Sequence, residues 1–501
     1  MRHVHGDNGR GERGMAMLVA LFMVLILSVL GSSLIFVSRT ETLSSLNYKT
    51  MSQVRYAAES GVNDTVNYLL WTYTPPGSVT DPIVNYNLST SPVEWGGAPV
   101  VLSSEPANYA PHYPVSTVTA AFDTATKGSL AVGIGTVRYT SRATLLGMRQ
   151  LDHPFIPGTK ITLQRWEVTG TGRVAGAGSA EVEVSAIIEK QPVPVYKYAA
   201  FATDQGCDAL SFGGGATTDS YDSTQYGGSG TPALSDTDGN VGTNGNLTQI
   251  GNTTQINGTL STPRTGVGNC TTGNVSALTS SGGAEVTGGL VQLPQSVTFP
   301  TPPLPSPLPP TGNVNFSTCP AAAILFCTDL GGGTIRLYPS AVGGTALIGD
   351  MRIGAGTTVI LRPVTYNVNS IAFMGNANIV LDTSVSSAPA IINVAGLPNV
   401  NTPIDLTGGT LTNTTFDPTR LQILYAGTRN VRLSGSAAAS ALIYAPNSSA
   451  SFVGGGHFYG AVVAGKITDM GGASIHYDRS LDDKALMDGP PTMSAFTWKS
   501  F

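Results

Sequence analysis

From residue 15 to residue 37 the chain carries no charged side chain, and that run constrains everything upstream of the first folded domain. As an α-helix its 23 residues would reach about 34 Å, enough to cross a hydrocarbon core of roughly 30 Å. Arg10 and Arg13 precede it, so the positive-inside rule predicts a cytoplasmic leader and an exported remainder. A discarded secretory signal would end at a small-x-small site with a new fold beginning there. Gly31, Ser32 and Ser33 offer a loose version of such a site.

The residues that follow argue for continuation instead. Leu43, Leu46, Met51, Val54, Ala58, Val62, Val66 and Leu69 recur at steps of three to five, with Arg39, Glu41, Lys49, Arg55, Glu59 and Asp64 mostly between them. That is one amphipathic helical stripe, and no proline interrupts it before Pro75-Pro76. The pattern predicts a single helix of roughly 55 residues, on the order of 80 Å long. Its first half is apolar all round; its second half has one apolar face.

Two stretches in this helix, "RGMAMLVAL" (13–21) and "YAAESG" (56–61), resemble the PilX-type minor pilins of type IV pili. The resemblance implies a prepilin leader (1–14) cut after Gly14 by a prepilin peptidase, N-methylation of the new terminal Met15, and an inner-membrane helix (15–74) that afterwards joins other pilins. Ordinary pilins carry a Glu at the fifth mature position, thought to pair with a neighbour's terminal amine. Here that position is Val19. An unpaired buried carboxylate is costly, so a subunit with no neighbour ahead of it gains nothing from one. The missing Glu implies a place at the filament tip or in its initiation.

Downstream the texture is β-rich, which makes the expected fold class α+β. "TLQRWEVTGTGRV" (162–174) and "SAEVEVSAIIE" (179–189) alternate in period two around the "AGAG" turn, predicting an antiparallel hairpin within a small pilin-like sheet (75–200). After irregular sequence to Pro114, the β-like pattern begins at Val115. A sheet here would cover the helix stripe from Leu46 to Leu69. From 201 to 298, runs such as "GNLTQIGN" and "AEVTGGLVQL" set β-branched residues between tight turns, as in a β-solenoid or right-handed β-helix. A proline-rich insert (299–312) reads as a stiff spacer or a segment crossing the solenoid surface, with a partner-binding motif as the other reading. A second solenoid part (313–485) shows a rough repeat that aligns Leu442-Ile443 with Val462-Val463. Residues 442–481 resemble the uncharacterised C-terminal domain that often follows a PilX-type N-terminus, and more distantly the bactofilin-type β-helix. Residues 486–501 read as a tail.

Charged residues make up 11% of the chain and the net charge is −5. With no basic patch, no nucleic-acid partner is expected. Cys207, Cys270, Cys319 and Cys327 all follow the apolar run, so export would place them where disulfides form. Cys319 and Cys327 would close a short loop and are the favoured pair; free buried thiols are the alternative. Asp236, Asp238 and Asn240 alternate in "SDTDGN" as calcium ligands do. Val241 and Leu247 break the EF-hand pattern, which leaves a hydrogen-bonded turn as the plainer reading. His457 and His476 could fall on adjacent coils, without the cysteine or acidic spacing of a metal site. No other metal or cofactor is expected.

These features predict a non-enzymatic minor pilin whose extracellular head serves adhesion or assembly, with a surface ligand as its further partner. An uncleaved single-pass surface anchor is the alternative. A glycan-acting β-helix enzyme, which would need clustered Asp beside Arg or Lys, is the remoter one.

Overall fold

The computed structural model describes residues 11–132, 135–155, 159–174, 180–338, 344–434 and 439–500. They form two compact units: residues 1–150, 162–191 and 489–501 make up the first, and 151–161 with 192–488 the second.

The first unit is built on one long helix, α1 (Gly11–Trp71). It closes before Pro75, where the Tyr68 carbonyl accepts from both Thr72 N (3.0 Å) and Tyr73 N (2.9 Å); the residue preceding a proline disfavours helical backbone. A six-stranded sheet packs on its second half. In spatial order the strands are Leu486–Ser500, Ala180–Pro194, Lys160–Val174, Gly135–Asp152 and Val101–Ser103, with Gly128–Val132 also on Gly135–Asp152. Lys160–Val174 and Ala180–Pro194 run antiparallel, Arg165 opposite Glu189 and Val174 opposite Ala180. The "AGAG" turn between them lies outside the described residues.

Val54, Ala57, Ala58, Val62 and Leu69 of α1 share one core with Val168, Val182, Val184 and Ala186 of the sheet. Burial of the stripe starts at Met51 and Val54, not at Leu46, which is exposed like Leu43. The sheet simply does not reach that far toward the N-terminus.

Two expectations for this unit are corrected. Residues Ser116–Ala125, placed within β-like sequence, form a helix, α2. Their threonines and Val118 favour strands locally, but Phe122 is fully buried edge-on to Tyr68 at 5.4 Å, and tertiary packing overrides propensity. Residues 486–501 are no tail: Leu486–Ser500 is the outer strand beside Ala180–Pro194. Gly489, Pro490 and Pro491 argue against a central strand and fit an edge one. This strand covers hydrogen-bonding groups that would otherwise be left open.

Among the described residues, the second unit is a closed, mostly parallel sheet of 25 strands wound in a helix-like manner. One ladder contains ten strands. Listed along the stack they are Thr345–Ile353, Thr365–Phe373, Ala390–Val394, Leu421–Tyr425, Ala439–Phe452, Gly456–Asp469, Ala200–Ala202, Val241–Thr243, Leu260–Thr262 and Leu290–Gln292. The stack therefore departs from chain order. The C-terminal coils come first, and the last of them lies against the first N-terminal coil. The same junction recurs twice more, Gly456–Asp469 beside Leu210–Phe212 and Ala473–Asp478 beside Thr217–Tyr221.

This order assigns a role to the proline-rich segment. A link is needed from Gln292 at one end of the stack to Asn313 at the other. Ten strands spaced about 4.8 Å apart span roughly 43 Å, and residues 293–312 in polyproline II reach about 60 Å. The contacts descend the stack in sequence. Val297 N donates to Asn244 Oδ1 (2.7 Å), and the Phe299 ring lies 4.7 Å from that of Phe201. Further on, the Pro300 carbonyl accepts from the Tyr444 hydroxyl (2.6 Å) and the Pro307 carbonyl from Asn367 Nδ2 (2.9 Å). Instead of interrupting two successive parts, the segment straps one continuous stack.

The predicted repeat is off by one residue. Leu442 pairs with Ala461 and Ile443 with Val462; a one-residue slip would turn every side chain to the opposite face. The 20-residue offset does hold elsewhere, as in Thr345 with Thr365 and Gln422 with Leu442.

Candidate assembly helix and polar sites of the head

The helix α1 has two chemically different halves. Residues 15–37 are uncharged and exposed along their length, and the helix is long and apolar enough to cross a membrane. Two of its hydroxyls are internally satisfied, Ser28 Oγ donating to the Val24 carbonyl and Ser32 Oγ to the Ser28 carbonyl, each at 2.8 Å. Back-bonding of this kind lets a serine sit in hydrocarbon without an orphan donor. Val19 lies in this half, 60% exposed. Gly14 and Met15 lie near the described start of the helix.

The other half is held against its own sheet by small residues. A Cβ on Gly170 would stand 2.1 Å from the Ala58 carbonyl oxygen, and one on Gly172 would stand 2.1 Å from that of Val54. From the helix side, a Cβ on Gly61 would meet Ser141 Oγ at 2.7 Å. "YAAESG" and "TGTG" are thus complementary faces of one close contact. Thr65, buried in the same row, donates to the Gly61 carbonyl. The hydrophobic stripe was legible in the sequence, but the pairing of glycines with the helix backbone was not. Two glycines alternating within a strand were the available signal.

In the second unit, Cys207 is bonded to Cys270 and Cys319 to Cys327. Asp236 and Asp238 are exposed, whereas Asn240 Oδ1 accepts from Thr259 N (2.8 Å) and Thr259 Oγ1 (3.0 Å). Asn240 therefore turns its oxygen toward the neighbouring coil. Among the described residues, no group of three or more His, Cys, Asp or Glu side chains is placed to hold a metal ion.

His457 and His476 do meet on adjacent strands, with a carboxylate that sequence spacing could not have supplied. Asp219 Oδ1 is 2.5 Å from His476 Nδ1, and His476 Nε2 is 2.8 Å from His457 Nδ1. Asp219 and His476 are separated by 257 residues and become register partners only because the first and last coils adjoin.

Comparison with known proteins bears on the first of these sites. Residues 13–63 match the family model described as PilX N-terminal.

The chain has a PilX-type N-terminus.

The match begins at Arg13 and runs through the apolar half to the small-residue face of α1. It bears out the resemblance read from "RGMAMLVAL" and "YAAESG". Residues 368–484 match a domain of unknown function, DUF7305, within the parallel sheet. Among solved structures, the competence-associated pilin ComZ from Thermus thermophilus aligns over 90% of this chain and 98% of its own, at 14% identity and a TM-score of 0.25. So low a score lends no support to a shared fold. No curated protein matches the chain.

Proposed function

We propose that this protein is a minor pilin that joins a type IV pilus at its tip or during initiation and displays a β-solenoid head outside the cell. The observation that carries the reading is the division of α1. One continuous helix, 57 residues from Met15 to Trp71, spends its second half on its own sheet and leaves its first half bare. A bare apolar half suits first a bilayer and then a bundle of like helices. The PilX-type N-terminus supports cleavage after Gly14 by a prepilin peptidase, methylation of Met15, and passage from the inner membrane into the filament. Val19, where a carboxylate would otherwise pair with a neighbour's amine, supports a position with no subunit ahead. The parallel ladders support the solenoid, and its role is adhesion or assembly, not catalysis.

Photo-crosslinking tests assembly directly. A benzoylphenylalanine placed at Phe22 should link this chain to other pilins in sheared filaments. Recovery of the chain in membranes alone, with no pilin adduct, would favour the uncleaved surface anchor.

A further inference from the structure

The junction between residues 200–221 and 456–478 gathers ionisable groups that the pilin reading leaves without a role. Many of the coils meet through aliphatic layers such as Ile335, Val359 and Ile379. At the junction, the buried Asp219 and His476 and the exposed His457 form one hydrogen-bonded chain across three strands. The His476 and Tyr459 rings lie 4.5 Å apart, and Tyr221 covers Tyr459 edge-on at 5.3 Å. We propose that Asp219–His476–His457 is an acid-sensitive latch that fastens the last coil of the head to the first.

The chemistry follows from the partners. A carboxylate only accepts, so neutral His476 donates Nδ1–H to Asp219 and presents an unprotonated Nε2 to the Nδ1–H of His457. His457 Nε2 is then the group left for a further proton. One such proton leaves the chain intact, because the two rings can still share a single N–H; with both rings protonated, N–H would face N–H at 2.8 Å across stacked rings 5.1 Å apart, and the chain would break. Partial desolvation where its ring packs on His476, and next the charge of His476 itself, hold the His457 pKa below the usual histidine value. A histidine lowered in this way adds stability that is present above about pH 6.5 and is lost as pH falls through its folded value.

Other charged groups at the junction have partners of their own: Lys466 lies 4.0 Å from Asp204, and Asp208 accepts from Thr248 Oγ1. On Ala473–Asp478, Asp478 is buried and accepts from Ser223 N and Ser480 N. Arg479 donates to Ser220 Oγ, Asp222 caps the turn beginning at Ser223, and Lys484 reaches Asp417. Asp469, on the neighbouring ladder opposite Phe212, acts in the opposite sense. Burial pushes its carboxyl up to about 6, so taking up a proton favours the closed junction. Its contribution must therefore be separated from that of the latch.

Hydrogen exchange followed by mass spectrometry tests this on the full chain in detergent, with intrinsic rates corrected between about pH 7.5 and about pH 5. In Asp469→Asn, peptides covering 456–478 and 217–221 should open about fivefold more readily at the lower pH, while peptides covering 365–381 should not change. The double variant His457→Gln/His476→Gln has no imidazole to protonate, and it should lose the acid-induced opening. The wild type compared with that double variant gives the same reading without relying on Asp469→Asn. Acid-induced opening that persists without the two histidines would overturn the proposal, as would junction strands no more acid-sensitive than interior ones.

Discussion

Gly170 sits directly beneath Ala58, so close that a Cβ on the glycine would be 2.1 Å from the Ala58 carbonyl oxygen. Backbone of the sheet and backbone of α1 are in contact there, with no side chain between them. The cost of Gly170→Ala is therefore paid by shifting helix or strand, and about 3 kcal/mol, the upper end for overpacking, is expected. Thermal unfolding in detergent would measure it. Gly227→Ala, where a Cβ meets nothing within 4 Å, should stay within about 0.5 kcal/mol of wild type.

Removing residues 489–501 should damage the first unit and spare the second. The deletion bares the edge of Ala180–Pro194, whose Glu189 carbonyl accepts from Thr492 Oγ1 at 3.2 Å. Loss of about 2–3 kcal/mol would lower the first unit's melting transition by roughly 5–10 °C and invite edge-to-edge aggregation. Calorimetry with size-exclusion chromatography checks both effects. An unchanged melting profile would mean that the strand contributes nothing to the sheet.

Asp469 gives a pH signature of its own. Its Oδ2 has no hydrogen-bond partner, and its side chain is buried. Because the folded pKa, about 6, lies above the unfolded value near 3.9, the carboxylate destabilises the head above pH 6 and relief comes as pH falls. Asp469→Asn should therefore raise stability at neutral pH by about 2 kcal/mol and have little effect near pH 4. Denaturant unfolding at the two pH values checks the sign.

Val19→Glu probes the place in the filament. If the helix joins a bundle from the tip, the new carboxylate has no subunit ahead to meet and piliation should continue at roughly half the wild-type level or more, the cost being confined to one unpaired charge. Counts of filaments by electron microscopy decide it. Complete loss of piliation would count against a tip position.

The sequence was most informative where periodicity is local. Leu43 to Leu69 marked one helix because a 3.6-residue repeat survives any tertiary setting. The alternation in 162–174 and 179–189 likewise fixed a hairpin. Local pattern failed where distant contacts decide the outcome. Phe122 turned a threonine-rich stretch into α2 by packing on Tyr68, and the open edge of Ala180–Pro194 drew 486–500 into a strand despite two prolines. Chain order along the stack was hidden for the same reason. Nothing near Asp219 signals that His476 will lie beside it, since only the strap at 293–312 makes their coils adjacent.

The central claim is that the apolar helix is cut once and kept. Intact-mass and peptide mass spectrometry of the mature N-terminus tests it most directly. A chain beginning at N-methylated Met15 is the expected result. An intact Met1, or a chain beginning near Ser32, would contradict it.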